Sequence, residues 1–205
     1  MLDFEKNDLI VLKKCGATGV GWLPDGKRFV AGSTDGHLFL WDVATWKVFQ
    51  KRKCKNVWSL AVSPDGRQLA VGDDDYAIQL YSLPGLELVG SCAHHKHLIH
   101  GLAFDAEGRR LLSASRDDTA ALWDVETRTL VRVLRGHTNC VYSARFTSAR
   151  HAVSAGLDGR LLRWDLDSGT SSELDKQKSI HSLAVTGSVV ISGGEDGVRF
   201  YALAD

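Results

Sequence analysis

The stretch "DGHLFLWDV", Asp35 to Val43, returns as "DDTAALWDV" at Asp117 to Val125 and as "DGRLLRWDL" at Asp158 to Leu166. An enzyme rarely repeats its active site, so a phrase written three times reads as a structural unit. The spacing agrees: Trp41 to Tyr81 is 40 residues, Tyr81 to Trp123 is 42, Trp123 to Trp164 is 41 and Trp164 to Tyr201 is 37. A constant period in this range is the mark of a repeat architecture.

The order inside each unit is also constant. A short alternating run comes first: "VWSLAV" (57–62), "IHGLAF" (99–104), "VYSARF" (141–146) and "IHSLAV" (180–185). A turn follows, twice written "PDG" (24–26 and 64–66), in which Pro presets the backbone angle and Gly accepts a positive φ. A second apolar run, an Asp-containing tight turn, the Trp-ending run and a last stretch such as "TLVRVL" complete the unit. The runs are short and rich in Val, Leu and Phe, with no helical spacing, so each unit predicts four antiparallel strands. The third run is apolar on both faces, as in "HLFLW", which requires both faces to be covered. Sheets packed face to face around an axis meet that requirement.

These residues resemble the WD-repeat β-propeller family over nearly the whole chain. Trp41-Asp42, Trp123-Asp124 and Trp164-Asp165 match its signature dipeptide, and Gly136-His137 matches its second signature. The resemblance implies one all-β domain of about five blades, at roughly 15–53, 54–97, 98–139, 140–177 and 178–205. The fifth unit stops at "VRFYALAD", after its third strand, and "DLIVLKK" (8–14) is a spare strand-like run. Members of the family commonly close the ring by pairing N- and C-terminal strands, so residues 8–14 are expected to complete the last blade. Closure between two chains and a truncated chain are the alternatives.

Composition narrows the function. Lys+Arg and Asp+Glu both total 25, and this zero formal charge argues against a general nucleic-acid or anionic-membrane role. The N-terminal run lacks the features of a signal peptide, and no apolar run is long enough to span a bilayer. The four cysteines form no C-x-x-C pair, which fits reduced, buried thiols in a cytoplasmic protein and no zinc site. "HHKHLIH" (94–100) reads as loop histidines without metal, and "KRKCK" (51–55) as a solvated connection between blades 1 and 2. No cofactor is expected.

The resemblance also assigns a buried hydrogen-bond network to His95, Ser113, Asp117 and Trp123, and again to His137, Ser154, Asp158 and Trp164. Ser, His and Asp together suggest a hydrolase triad. Two copies with no oxyanion motif instead favour mutual satisfaction of buried polar groups. The other units depart from the set: unit 1 has Ala31 and Lys13 beside Asp35 and Trp41. Unit 2 has Lys53, Val71 and Tyr81 beside Asp75. Unit 5 has Lys176 and Tyr201 beside Ser192 and Asp196.

The expected function is a non-catalytic scaffold for a protein or peptide, within a larger complex. A structural or sensing subunit and a channel-ligand sensor or enzyme are the alternatives. WD-repeat proteins often contact partners through the second residue of the first strand and the residue before the tight-turn Asp. The first position gives Thr18, Trp58, His100, Tyr142 and His181; the second gives Thr34, Asp74, Arg116, Leu157 and Glu195. Rings at four of the five first positions are unusual for interior strands. Trp58, Tyr142 and Arg116 are therefore expected to anchor a segment, with His100 and His181 beside them. Asp74 and Glu195 would favour a basic side chain. The competing reading is that the rings merely plug a narrow channel.

Overall fold

A computed structural model describes residues 16–203. They form strands joined by turns, with no helix among them. Blade 1 is β1 (Ala17–Trp22), β2 (Arg28–Ser33), β3 (His37–Asp42) and β4 (Lys47–Lys53). Blade 2 is β5 (Val57–Val62), β6 (Gln68–Asp73), β7 (Ala77–Ser82) and β8 (Glu87–Ala93). Blade 3 comprises β9 (Ile99–Phe104), β10 (Arg110–Ser115), β11 (Thr119–Asp124) and β12 (Thr129–Arg135). Blade 4 comprises β13 (Val141–Phe146), β14 (His151–Gly156), β15 (Arg160–Asp165) and β16 (Ser171–Lys176). Blade 5 has β17 (Ile180–Thr186), β18 (Val189–Gly194) and β19 (Gly197–Ala202). Each blade is an antiparallel meander in sequence order, and the first strands of successive blades lie against one another.

Turn chemistry fixes the meander. After the first strand, Gly26, Gly66 and Gly108 sit at positive φ, where Gly costs least. Beside them Asp25, Asp65 and Asp105 accept hydrogen bonds from the backbone N–H groups that re-enter the sheet. The Asp of the repeated dipeptide has a similar duty after the third strand. Asp42 accepts from the N–H and hydroxyl of Thr45, Asp124 from those of Thr127, and Asp165 from those of Ser168. The Ser168 N–H and hydroxyl, helped by Arg150, hold the Asp165 carboxyl down at about 2.

Four apolar cores join the five blades. Leu38 and Leu40 meet Val57, Leu69 and Tyr81 between blades 1 and 2. Ile78 and Leu80 meet Leu111 and Trp123 between blades 2 and 3, and Leu112 and Leu122 meet Ala152 and Trp164 in the next core. Val153 and Leu161 meet Ile180, Val190 and Tyr201 in the last. The aromatic residue near the end of the third strand thus packs back onto the preceding blade in blades 2 to 5. Among the described residues no such core joins blade 5 to blade 1. Val20 (70 % exposed) and Trp22 (61 %) mark one open flank, Val198 (63 %) and Phe200 (69 %) the other. The expected closing strand, 8–14, lies outside the described residues.

Two expectations need correction. Lys51, Arg52 and Lys53 are part of β4 rather than of a connection. Lys51 lies over the Phe39 ring, Arg52 pairs with Glu87 at 3.2 Å, and Lys55 pairs with Asp75. Cys92 and Cys140 are buried, but Cys54 is only half-buried, because it lines a cleft between blades. Burial and the nearby Asp73, Asp35 and Asp74 still push its thiol up to about 11, so it stays protonated at neutral pH. Cys15 is outside the described residues.

Candidate functional site

The two polar networks come first, because they look like chemistry. Trp164 Nε1 donates to Ser154 Oγ at 2.8 Å, Ser154 Oγ lies 2.7 Å from His137 Nε2, and His137 Nδ1 lies 3.0 Å from Asp158. In blade 3, Trp123 Nε1 donates to Ser113 Oγ at 2.8 Å. Ser113 then lies 2.7 Å from His95 Nε2, and His95 Nδ1 lies 2.8 Å from Asp117. One proton arrangement satisfies the whole chain: indole to hydroxyl, hydroxyl to Nε2, and Nδ1–H to carboxylate, with a neutral imidazole. Burial pushes the His137 pKa down against the pull of Asp158, consistent with the neutral form. Burial of Asp117 opposes ionisation, but bonds from His95, Thr119 and the Lys96 N–H outweigh it and hold the carboxyl far below its usual range. Ser113 and Ser154 are fully buried and already engaged at both sides of the hydroxyl. A substrate cannot reach either oxygen, which removes the hydrolase reading of these residues.

The remaining blades substitute for the network. In blade 5 the histidine place is taken by Gln177, not by Lys176, which is exposed. Gln177 Nε2 donates to Ser192 Oγ at 2.8 Å and to the Tyr201 hydroxyl at 3.0 Å, and Tyr201 donates to Asp175 at 2.5 Å. Asp196 caps the Lys178 N–H at 3.0 Å. In blade 2 Asp75 turns outward to Lys55, and Asp73 is the buried carboxylate, accepting from Gln79 Nε2 at 2.8 Å. In blade 1 Asp35 bonds locally to Ser33 and His37, and Lys13 lies outside the described residues.

A different regularity marks the place where blades can differ in function. In every first strand the pairing with the second skips one residue. Ala17 pairs with Ser33 and Gly19 with Gly32, omitting Thr18; Val57 and Ser59 likewise omit Trp58. The same step omits His100 in blade 3, Tyr142 in blade 4 and His181 in blade 5. The first column of sequence positions is therefore a column of β-bulges, a device that re-aims a side chain out of the sheet. Because the first strands adjoin, the bulge residues of neighbouring blades can touch. The His100 and Tyr142 rings are 4.8 Å apart and the Tyr142 and His181 rings 5.2 Å apart, giving a continuous arc over blades 3 to 5. Trp58 is half-buried outside this ring chain, and its buried indole N–H has no partner among the described residues.

The second column shares that end of the blades. Thr34 N–H donates to Gly16 O, Arg116 to Leu98 O, Leu157 to Cys140 O and Glu195 to Ser179 O. Each bond ties the turn after the second strand to the residue just ahead of the first strand. Arg116, Asp74 and Glu195 are exposed there. Burial, with Arg116 and His97 close by, lowers the pKa of His100, so this imidazole is neutral at pH 7.

The four clustered histidines go four ways. His94 meets the edge of Trp123, His95 joins the network, His97 stacks on Tyr76 and His100 meets Tyr142. Among the described residues no group of three or more His, Cys, Asp or Glu is placed to hold a metal. Tyr76 and His97 were not anticipated as part of this surface. The available signal was a Tyr in the tight turn where three other units have Gly.

The family model described as "WD domain, G-beta repeat" matches residues 10–42, 46–82, 86–124 and 128–165. The chain belongs to the WD-repeat family. The second, third and fourth matches each take in the outer strand of one blade and end with the third strand of the next, the first match ends with the third strand of blade 1, and blade 5 lies beyond the last match. The chain is 29 % identical over 175 residues to a U3 snoRNP-associated protein-like EMB2271 of Arabidopsis thaliana, covering 75 % of this chain and 36 % of that protein. It is 30 % identical over 148 residues to guanine nucleotide-binding protein subunit beta-5b of Danio rerio, covering 67 % of this chain and 38 % of that one. The WD-repeat chain thus spans well under half the length of these relatives. The solved structure of U3-55K superposes with a TM-score of 0.87 at 23 % identity, over 94 % of this chain and 63 % of that chain. The RRP9 WD40 repeats superpose with the same score and identity, over 94 % and 62 %. At that identity the superpositions establish the WD40 propeller fold of the blades and nothing further.

Proposed function

We propose that this WD-repeat chain is a non-catalytic interaction module that holds a peptide segment of a protein partner at the bulge end of its blades. The observation that carries this reading is the bulge column. A residue freed from pairing in every blade contributes little to the sheet, yet four of the five are rings. His100, Tyr142 and His181 form one surface whose edges are lined by Arg116 and Glu195. Large rings with a polar edge dominate binding hot spots, because they bury area at low entropic cost. Tyr142, flanked on both sides, is the central anchor; Trp58 contributes its exposed edge rather than its N–H. A second reading, a structural subunit of a larger assembly, draws support from the open flanks at Trp22 and Phe200, which suit further packing.

Affinity capture with mass spectrometry, using the chain as bait, identifies partners. Capture with Tyr142→Ala and with the Trp58→Ala/Tyr142→Ala double variant then locates the site. Tyr142→Ala is expected to weaken binding by about 2 kcal/mol. Undiminished capture by the folded double variant would move the site to the outer rims.

A further inference from the structure

The tight turn after the second strand places one residue of every blade in the left-handed region. These residues are Gly36 (φ 76°), Tyr76 (65°), Asp118 (67°), Gly159 (77°) and Gly197 (98°). Gly adopts this conformation freely and Asp tolerates it, whereas a bulky aromatic is strained there. Bulky residues at positive φ also occur after third strands, at Trp46, Leu86 and Arg128, and Leu86 is accounted for by its complete burial in the core. Tyr76 has no such account. It is 37 % exposed and its hydroxyl makes no hydrogen bond among the described residues. Its ring stacks on His97 of the next blade, 5.4 Å between centroids with 29° between planes, and remains partly exposed to solvent. A strained, exposed side chain kept in a fixed pose is the kind of outlier that points to a binding role.

The partner ring is held as firmly. His97 Nδ1 accepts from the Leu98 N–H at 2.8 Å, and the His97 carbonyl accepts from Ser115 Oγ at 3.1 Å. The turn carrying Tyr76 is acidic, "DDDY" (73–76), and its carboxylates are not equivalent. Asp73 is buried and satisfied by Gln79 and by the N–H groups of Asp75 and Ala77. Asp75 pairs with Lys55. Asp74 is exposed and makes no ion pair among the described residues. An exposed aromatic ring in the same turn as an exposed carboxylate suits a cation, and a planar guanidinium can both stack and pair. The platform is also close to the bulge arc, since His97 and His100 are three residues apart and His100 touches Tyr142.

We propose that Tyr76, His97 and Asp74 form a rim site for a cationic side chain, arginine by preference, of the segment that lies over Tyr142. This rests on the channel-end reading above and adds a charge requirement to it. The test is an NMR titration of the 205-residue chain with a pentapeptide of Gly and Ser around a central Arg, and with its Lys, Leu and Glu counterparts. Shifts should centre on Tyr76 and His97, with affinity falling from Arg to Lys to Leu. Tyr76→Asn, which suits the left-handed backbone, should keep or raise Tm while weakening the Arg peptide by about tenfold. Tyr76→Phe should hold affinity to within about twofold, because the stacking face remains. Equal binding of the Leu peptide would overturn the site. So would a Tyr76→Asn variant that loses stability yet keeps its affinity, since the ring would then be a clip between blades 2 and 3. A captured partner lost with Tyr142→Ala but kept with Tyr76→Asn would overturn this inference alone. Arg-peptide shifts at Tyr76 together with full partner capture by Tyr142→Ala would support the rim site and refute the channel-end reading.

Discussion

Ser154→Ala isolates the buried network, because it removes a single oxygen and leaves almost no cavity. That oxygen is fully buried, accepts the Trp164 indole N–H at 2.8 Å and lies 2.7 Å from His137 Nε2. Its loss leaves a buried donor and a buried acceptor unsatisfied, at about 1–3 kcal/mol each in the general case. The two share one site and do not add fully, so the expected destabilisation is about 2–4 kcal/mol. For a domain of this size that corresponds to a fall in Tm of roughly 4–16 °C. Blade 5 supplies the control. Ser192 is also buried, but its partners are Gln177 and, at 3.4 Å, Tyr201, and each of those has a second partner. Ser192→Ala should therefore cost only about 1 kcal/mol. Urea unfolding followed by tryptophan fluorescence and by circular dichroism would measure both. A Ser154→Ala variant within about 0.5 kcal/mol of the parent would show that the network is not a stability element. Unchanged stability with lost partner binding would return these residues to a functional role.

Stability should also depend on pH with a defined sign. His137 has a lowered folded pKa, so below its ordinary value of 6.5 the unfolded chain takes up a proton that the folded chain refuses. Asp117 is likewise lowered, and its contribution is lost as pH falls below 3.8, its ordinary value. Thermal melts should be flat from about pH 8 to 7, decline from near 6.5 and decline again near 4; stability that rises between pH 7 and 5.5 would contradict the neutral-imidazole assignment. Deletion of residues 1–14 should cause aggregation or unfolding, because β19 would be left as an unpaired edge beside an exposed Phe200. An equally stable, monodisperse deletion variant would show that those residues do not close blade 5.

How much of this was legible in the sequence differs from level to level. The blades were, since a period near 41 with turn residues at fixed offsets leaves few alternatives to four-stranded antiparallel units. The two complete networks were, because all four side-chain types are present at matching spacings. Gln177 was missed for a physical reason. Gln177 lies 15 residues before Ser192, whereas His95 lies 18 before Ser113 and His137 lies 17 before Ser154, so counting from the complete networks does not land on it. Asp73 was missed because three consecutive aspartates carry no local signal of which one faces inward. Contacts between blades, such as Tyr76 with His97, depend on how one sheet is rotated against the next. No pattern within a single unit encodes that rotation.

The bulge explains why a repeat this regular can still be specific. Positions that pair or pack are constrained four times over by equivalent cores, so Leu, Val and Trp recur with little freedom. The bulge residue neither pairs across the sheet nor fills a core, and the turn residues next to it answer only to backbone geometry. These are the positions at which one blade can differ from another at little cost to the fold. In this chain the differences are not random in character: Thr18 alone is small, and Trp58, His100, Tyr142 and His181 present rings at one end of the molecule. Tyr76 likewise stands where its neighbouring units have Gly or Asp. Under the proposed binding role the bulge end of the blades is where partner contacts would gather, whereas rings that only filled the channel would leave partner binding unchanged on substitution.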